Sequence, residues 1–374
     1  MLAGKLGAAN YNGEDMAKKL RVGIIFGGRS GEHEVSLLSA ASILKAIDRR
    51  KFDVAPIGIN KAGHWLTAGA AQGLLNGAGA AEAQYEAEAV ESGTALQGLD
   101  VVFPVLHGTF GEDGTIQGLF DLAGIPYVGS GVLGSSAGMD KDVMKRLFAQ
   151  AKLPLVKHVT LLRAAWERAP RKAVAQIEAA LRYPVFVKPA NLGSSVGISK
   201  VHDRKELGSA LGLAARYDRK LVVEEGVGGK KSKARELEVG VLGNDDPKAS
   251  LVGEIIPSKE FYDYEAKYLS EGSVAVIPAK LTKEETKQMR ELAVAAFLAC
   301  DLSGLARVDF LMEPDGKRRI YLNEVNTLPG FTSISMYPKL WQATGIAYKD
   351  LITRLIELAL ERQAEKSRTC YSRE

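Results

Sequence analysis

Near the C-terminus two apolar segments, ARVDF (306–310) and LNEVNTLPG (322–330), carry three hard oxygen donors, Asp309, Glu324 and Asn326. On an extended strand Glu324 and Asn326 project to one face while Val325 turns to the other. Mg²⁺ takes oxygen ligands, usually only one or two of them protein carboxylates, and leaves its remaining positions to water and phosphate. The triplet therefore outlines a magnesium site. A polar strand end beside a turn is the plainer reading of the same residues, and the motifs upstream decide between the two.

Lys188 closes the apolar run VFVKP and leads straight into the loop ANLGSSVG (190–197). Glycines let a backbone approach phosphate closely, the loop amides with Ser194 and Ser195 can donate to anionic oxygens, and Lys188 adds a point charge. Neither GxxxxGK[S/T] nor GxGxxG is present, and a glycine–serine loop between strands also serves as an ordinary hairpin. Lys141, in MDK at a helix start, reads by itself as a solvated first-turn residue. In VEEGVGG (223–229) the adjacent Glu224 and Glu225 end a strand, where acceptor oxygens suit a purine amino group or ribose hydroxyls, although such pairs are commonly solvated.

Three further loops join this set. GGRSGEHEVS (27–36) links a strand to a helix, and its Glu34 either complements the helix dipole or aims a carboxylate at an ammonium. Its glycine spacing, and a following strand that closes with Ile59-Asn60 and not with an acid, weigh against a dinucleotide site. LHGTFGEDGTIQG (106–118) is dense in Gly, Asp and Glu; its His107 reads either as a polar-tipped structural histidine or as a group near proton transfer. KEFYDYEAKYLSEG (259–272) has the character of a lid that would carry Lys267 and Tyr268 into a cleft and exclude water. A plain long loop is the alternative.

The elements that must hold these loops follow from periodicity. RVGIIFGG (21–28), FDVAPIGI (52–59) and DVVFPVLHG (100–108) read as buried strands, with helices over Glu34–Asp48 and TIQGLFDLAG between and after them. That alternation predicts a mostly parallel sheet. Residues 68–95, dominated by Ala, Gly and Glu, read as a surface insertion or a loosely held helix. From about residue 138 come the helix DKDVMKRLFAQA and the strands YPVFVKP and KLVVEEGV. Strands near ELEVGVLG, SLVGEIIP, RVDFLM and RIYLNEVN follow, with helices over Thr282–Ala299 and Tyr348–Ala364 and a charged tail expected to fray.

The 374 residues suffice for two or three domains, and 46% hydrophobic with 25% charged residues is an ordinary globular composition. There is no apolar run of membrane-spanning length, and the first twenty residues lack the apolar core of a signal peptide; the expected location is cytoplasmic. Two cysteines make neither a disulfide framework nor a metal cluster, and a net charge of +4 without a basic block excludes a nucleic-acid surface.

Taken in order, HEVS, LHGTFGEDGTIQG, MDK, VKPANLGSSVG, VEEGV, RELEVG, EIIP, FYDYEAKY, ARVDF and NEVNTLPGFTSISMYP resemble the D-alanine–D-alanine ligases of the ATP-grasp superfamily, from residue 21 to about 360. The resemblance implies an α/β and α+β chain. An N-terminal mostly parallel α/β (pre-ATP-grasp) domain, 1–137, with a 1–20 extension and the 68–95 insertion, would precede a two-subdomain ATP-grasp fold. Its subdomains would be 138–227 and 228–374, the second bearing the lid 259–272. It further implies ATP phosphates on Lys141, Lys188, Ser194, Ser195 and Lys267, adenine at Glu224, Glu225 and Val227, ribose at Glu236, and Mg²⁺ or Mn²⁺, as two ions, on Asp309, Glu324 and Asn326. Glu34 would hold the first D-alanine's ammonium and latch the lid through Ser194 and Tyr268. Arg307 and the Gly330 N–H would stabilise a tetrahedral oxyanion. Lys267 and Ser335 would receive the second D-alanine's carboxylate, with His107 near its amine. YEAKY favours a dipeptide over an ester, since related D-lactate ligases lack that tyrosine. A homodimer, with no nucleic-acid or membrane partner, is also implied. A D-lactate or D-serine acceptor, a nucleotide-binding protein without activity, and a dehydrogenase are the alternatives.

Overall fold

The computed structural model describes residues 19–76, 89–228, 233–256, 274–332 and 334–373. The expected lid, with Lys267 and Tyr268, lies outside them, as do residues 1–18 and the middle of the 68–95 segment. The first sheet has the order β4-β3-β2-β1-β5. Its centre is parallel, β1 (Leu20–Gly27) lying between β2 (Phe52–Ile59) and β5 (Val101–Pro104). Two short strands, β3 (Trp65–Leu66) and β4 (Ala89–Val90), extend it in antiparallel fashion. Helices cover both faces, so β1 reads as an unbroken apolar run and not as an alternation, with Val22, Ile24, Ile25 and Phe26 all fully buried.

Residues 68–75, expected within a surface insertion or a loosely held helix, form a helix that packs firmly on β2. Ala71 is fully buried, and a Cβ on Gly58 would meet it at 3.2 Å. Small side chains here mark close approach of helix to sheet, which composition alone reads as weakness.

The second sheet, β6 (His158–Leu162), β9 (Lys220–Glu225), β7 (Val185–Pro189) and β8 (Ser199–Val201) in that order, is antiparallel. The third runs β12 (Val274–Val276), β11 (Lys248–Ile256), β10 (Arg235–Gly243), β13 (Gly304–Met312), β14 (Ile320–Asn326), again antiparallel. The helix Lys283–Ala299 backs it and begins at a capping box of Thr282 with Glu285.

Two helices cross the expected domain borders. Lys141–Gln150, capped by Asp140, puts Met144 and Phe148, one turn apart, into the core of the third sheet. The last helix, Tyr348–Lys366, places Leu351, Ile352, Leu355, Ile356, Leu358 and Ala359 against the first sheet. Arg362 fastens it there, donating to the carbonyls of Tyr127 and Gly129 and lying 4.2 Å from the Tyr127 ring centre.

Candidate active site

The phosphate-like loop leaves the end of β7. Ser194 and Ser195 hold positive φ of 49° and 60°, and Gly197 follows at 72°. Successive left-handed residues are costly for side chains other than glycine, and the turn closes on itself as the Val196 N–H donates to the Gly193 carbonyl at 3.2 Å. The loop is pinned from outside: Asn191 donates to Asp140 and Asp218, and the Lys141 ammonium spans from the Leu192 carbonyl at 3.0 Å to Glu324 at 3.3 Å. Lys141 is thus a buried bridge between loop and acidic strand, not a solvated first-turn residue.

Lys188 Nζ lies 2.7 Å from Glu224 Oε2 and 3.3 Å from Asn323 Oδ1. Burial alone would lower its pKa, but Glu224 and Glu324 outweigh burial and raise it, so the ammonium persists. Glu224, expected at an adenine, is 2% exposed and gives its other oxygen to Lys145 at 2.8 Å. Against the cost of burial, the two lysines hold this carboxyl well below its usual range. Strand alternation explains the difference: Glu224 turns inward, and Glu225 turns to the opposite side. Glu225 and Val227 line a cleft of about 630 Å³ with Val156, Lys157, Glu313 and Tyr321, between the second and third sheets. Glu236 lies on β10 beside this network, close enough to raise the Lys188 pKa.

The carboxylate that meets Ser194 is Glu32, whose Oε1 accepts from Ser194 Oγ. Glu34, two residues on, points outward to Lys61 at 2.6 Å with more than half of its side chain exposed, and that ammonium holds its carboxyl below the usual range. Glu32 is 8% exposed, and Cβ atoms built on Gly193 and Gly108 would come within 2.6 and 2.8 Å of its Oε2. Glycine at both positions lets the two loops approach one carboxylate closely. Glu34, expected from the sequence to meet Ser194, faces Lys61 instead, and Glu32 makes that contact.

His107 is buried, with Nδ1 2.9 Å from the Leu328 carbonyl and Nε2 3.1 Å from Ser39 Oγ. Burial lowers its pKa, and both ring nitrogens serve to fasten the 328–331 turn, whose Phe331 N–H also donates to Ser39. It holds the turn carrying Gly330. Ser335 Oγ folds back onto that turn, accepting from Thr332 N–H at 3.0 Å, and a Cβ on Gly330 would meet it at 2.9 Å.

Glu112, not singled out in the sequence, is buried here and accepts from Gly108 N–H at 2.8 Å. Burial, and then the charge of Glu32, push its carboxyl up to about 8. A folded-state pKa above the unfolded value contributes stability that is complete below about 4.5 and is lost as pH rises through about 8. Glu112→Gln should flatten the fall of Tm between pH 5 and 8 and melt above the parent at pH 8. Parallel Tm profiles for the two proteins would contradict this.

Asp309 stands opposite Glu324, and Arg307 opposite Asn326, across β13 and β14. Arg307 grips Asp309 through two 2.7 Å bonds and lies 3.2 Å from Glu238. Among the described residues Asn326 Oδ1 is buried without a hydrogen-bond partner, an acceptor that a bound cation would satisfy. No three His, Cys, Asp or Glu residues gather into a metal cluster among them. Two carboxylates and an amide fit Mg²⁺ with its phosphate and water ligands better than a dedicated protein cage.

Two antiparallel sheets that meet at a lysine–carboxylate network, preceded by an α/β domain that lends a carboxylate to the phosphate-like loop, make an ATP-grasp fold. Models described as D-ala D-ala ligase N-terminus and C-terminus match residues 21–130 and 147–357. A D-alanine–D-alanine ligase of Bacillus cytotoxicus is 48% identical over 366 residues, covering 95% of this chain and 99% of that protein. Two solved structures superpose well. The D-alanine–D-alanine ligase of Coxiella burnetii gives a TM-score of 0.79 at 35% identity over 94% of this chain and 97% of that one. The VanG D-Ala:D-Ser ligase of Enterococcus faecalis gives 0.78 at 38% over 91% and 100%. The chain belongs to the D-alanine–D-alanine ligase family.

Proposed function

We propose that this protein is an ATP-dependent ligase that joins two D-alanines into D-alanyl-D-alanine for peptidoglycan synthesis, in the cytoplasm and as a homodimer. The observation that carries the reading is the meeting of Glu32 with Ser194. An ammonium-binding carboxylate beside a phosphate loop puts an amino acid's carboxylate next to a nucleotide's terminal phosphate.

ATP lies with its base in the cleft at Glu225 and Val227, its ribose toward Glu236 and its phosphates on Lys141, Lys188, Ser194 and Ser195. Lys267 joins them from the lid. Asp309, Glu324 and Asn326 would hold Mg²⁺ or Mn²⁺, which when bound neutralises phosphate charge. Phosphoryl transfer asks for positioning and charge neutralisation more than for covalent help. Glu32 anchors the first D-alanine, whose carboxylate takes the γ-phosphoryl group to give an acyl phosphate and ADP. The amine of the second D-alanine, its carboxylate at Ser335 and Lys267, attacks the acyl carbon. Arg307 and the Gly330 N–H stabilise the resulting oxyanion, which collapses to dipeptide and phosphate. Tyr268, by closing the lid onto Ser194 and Glu32, protects the acyl phosphate from water.

The fold is shared with a D-Ala:D-Ser ligase at a TM-score of 0.78, so architecture does not choose the acceptor. Phosphate release from ATP and Mg²⁺ with D-alanine alone, and with D-alanine plus D-serine or D-lactate, tests both points once the products are identified by mass. D-alanyl-D-alanine as the main product is expected in every mixture. A mixed product in excess moves the assignment to the other acceptor, and silence with all of them removes the ligase reading.

A further inference from the structure

Lys145 has no place in the chemistry above, yet it is the most deeply buried lysine of the network, with no exposed surface. Its ammonium donates to the Asn323 carbonyl at 3.2 Å and pairs with Glu224 Oε1 at 2.8 Å. Lys188 touches the same two residues at their other atoms, Glu224 Oε2 at 2.7 Å and Asn323 Oδ1 at 3.3 Å. The four residues form a closed ring of contacts, Lys145 to Glu224 to Lys188 to Asn323 and back. The ring joins the helix Lys141–Gln150, β9, β7 and β14, and so ties the second sheet to the third one residue before Glu324.

Charge explains why two lysines share one carboxylate. Lys145 and Lys188 share the one Glu224 carboxylate in a dry setting, where charges interact strongly, while Glu324 and Glu236 act on Lys188 from further off. With Lys145 removed, Glu224 and Lys188 would become a neutral pair. The Lys188 ammonium would then be drawn fully onto Glu224, with little attraction left for an anion. We infer that Lys145 is a positioning residue for ATP: by sharing Glu224 and gripping the Asn323 carbonyl, it keeps Lys188 from being drawn fully onto Glu224 and so holds it in place for the nucleotide phosphates without touching them itself. The inference rests on the proposed reading that Lys188 contacts those phosphates.

The test uses the full chain and measures ATP affinity with Mg²⁺ by calorimetry, with KM for ATP, KM for D-alanine, kcat and Tm alongside. Lys145→Met should weaken ATP binding by about tenfold or more, the worth of one charge-assisted bond, with KM for D-alanine nearly unchanged. Lys145→Gln keeps a donor for the Asn323 carbonyl and so guards against a folding failure; it should show the same loss. Adding Glu224→Gln to Lys145→Met removes the carboxylate that would capture Lys188, with Glu324 and Glu236 still near to favour its ammonium, and should recover most of the affinity, which a merely structural role would not do. A folded Lys145 variant that binds ATP like the parent overturns the inference, as does a double variant no better than the single. Lys188→Met separates the two levels. If it leaves ATP affinity intact, the phosphate-site reading falls and takes the inference with it; if it weakens ATP while the Lys145 variants do not, only the inference falls.

Discussion

Glu32→Gln should lower kcat/KM for D-alanine by about 10²- to 10³-fold, the usual range for deleting one charged group aimed at a reacting ligand. Glu34→Gln should stay within about threefold of the parent, as surface ion pairs contribute little. The two residues sit in one motif, SGEHEVS, and only their surroundings separate them. Glu32 is enclosed by Gly108, Gly193 and Ser194, whereas Glu34 is on the outer face with Lys61. Glutamine retains the shape and one acceptor for Ser194, so the fold should survive while the attraction for an ammonium is lost. The effect belongs in the D-alanine terms, measured at saturating ATP. Removing the Glu32 charge also relieves part of the pressure on Glu112, so the pH profile of stability should shift with it. A larger loss in the Glu34 variant would return the ammonium-binding role to that residue.

Local pattern made some of this site legible in the sequence and left other parts hidden. The acidic strands could be read because alternation on an apolar strand is a local property; Glu324 and Asn326 share a face whatever lies across from it. The Lys188 loop could be read for the same reason, its glycines and serines lying within a few residues of a buried strand. Glu32 was hidden because it precedes the helix, where no periodicity directs its side chain, and its partner Ser194 is 162 residues away. Lys145 looks like any polar position on an amphipathic helix, and its burial comes from β9 and β14 closing over it. Glu224 and Glu225 were separable in principle, since neighbours on a strand face opposite ways. Which of them faces inward depends on the sheet that packs behind. The tight packing of the helix at 68–75 is not legible, because small residues at a close interface resemble those of a loosely held helix.

The second large effect separates adjacent residues on β14. Glu324→Gln should cut kcat by about 10²- to 10³-fold, in the range for losing a group that stabilises transition-state charge. The Mg²⁺ concentration needed for half-maximal rate should rise with it. Tm should move less than a core truncation would move it, because the Glu324 side chain is a quarter exposed and glutamine can still accept from the Lys141 ammonium 3.3 Å away. Val325 points the other way, into the core shared with Met144, Phe148 and Leu302, and is 5% exposed. Val325→Ala should therefore cost about 2 kcal/mol of stability through the cavity it leaves, while the Mg²⁺ titration keeps its midpoint. Strand alternation alone predicts this crossed result, catalysis more than stability at one position and stability without catalysis at the next. If Glu324→Gln turned over normally across the Mg²⁺ titration, Glu324 would leave the metal site. Two carboxylates and one amide would then be too many donors to assign to the ion, and Asp309 with Asn326 would have to hold it from opposite strands.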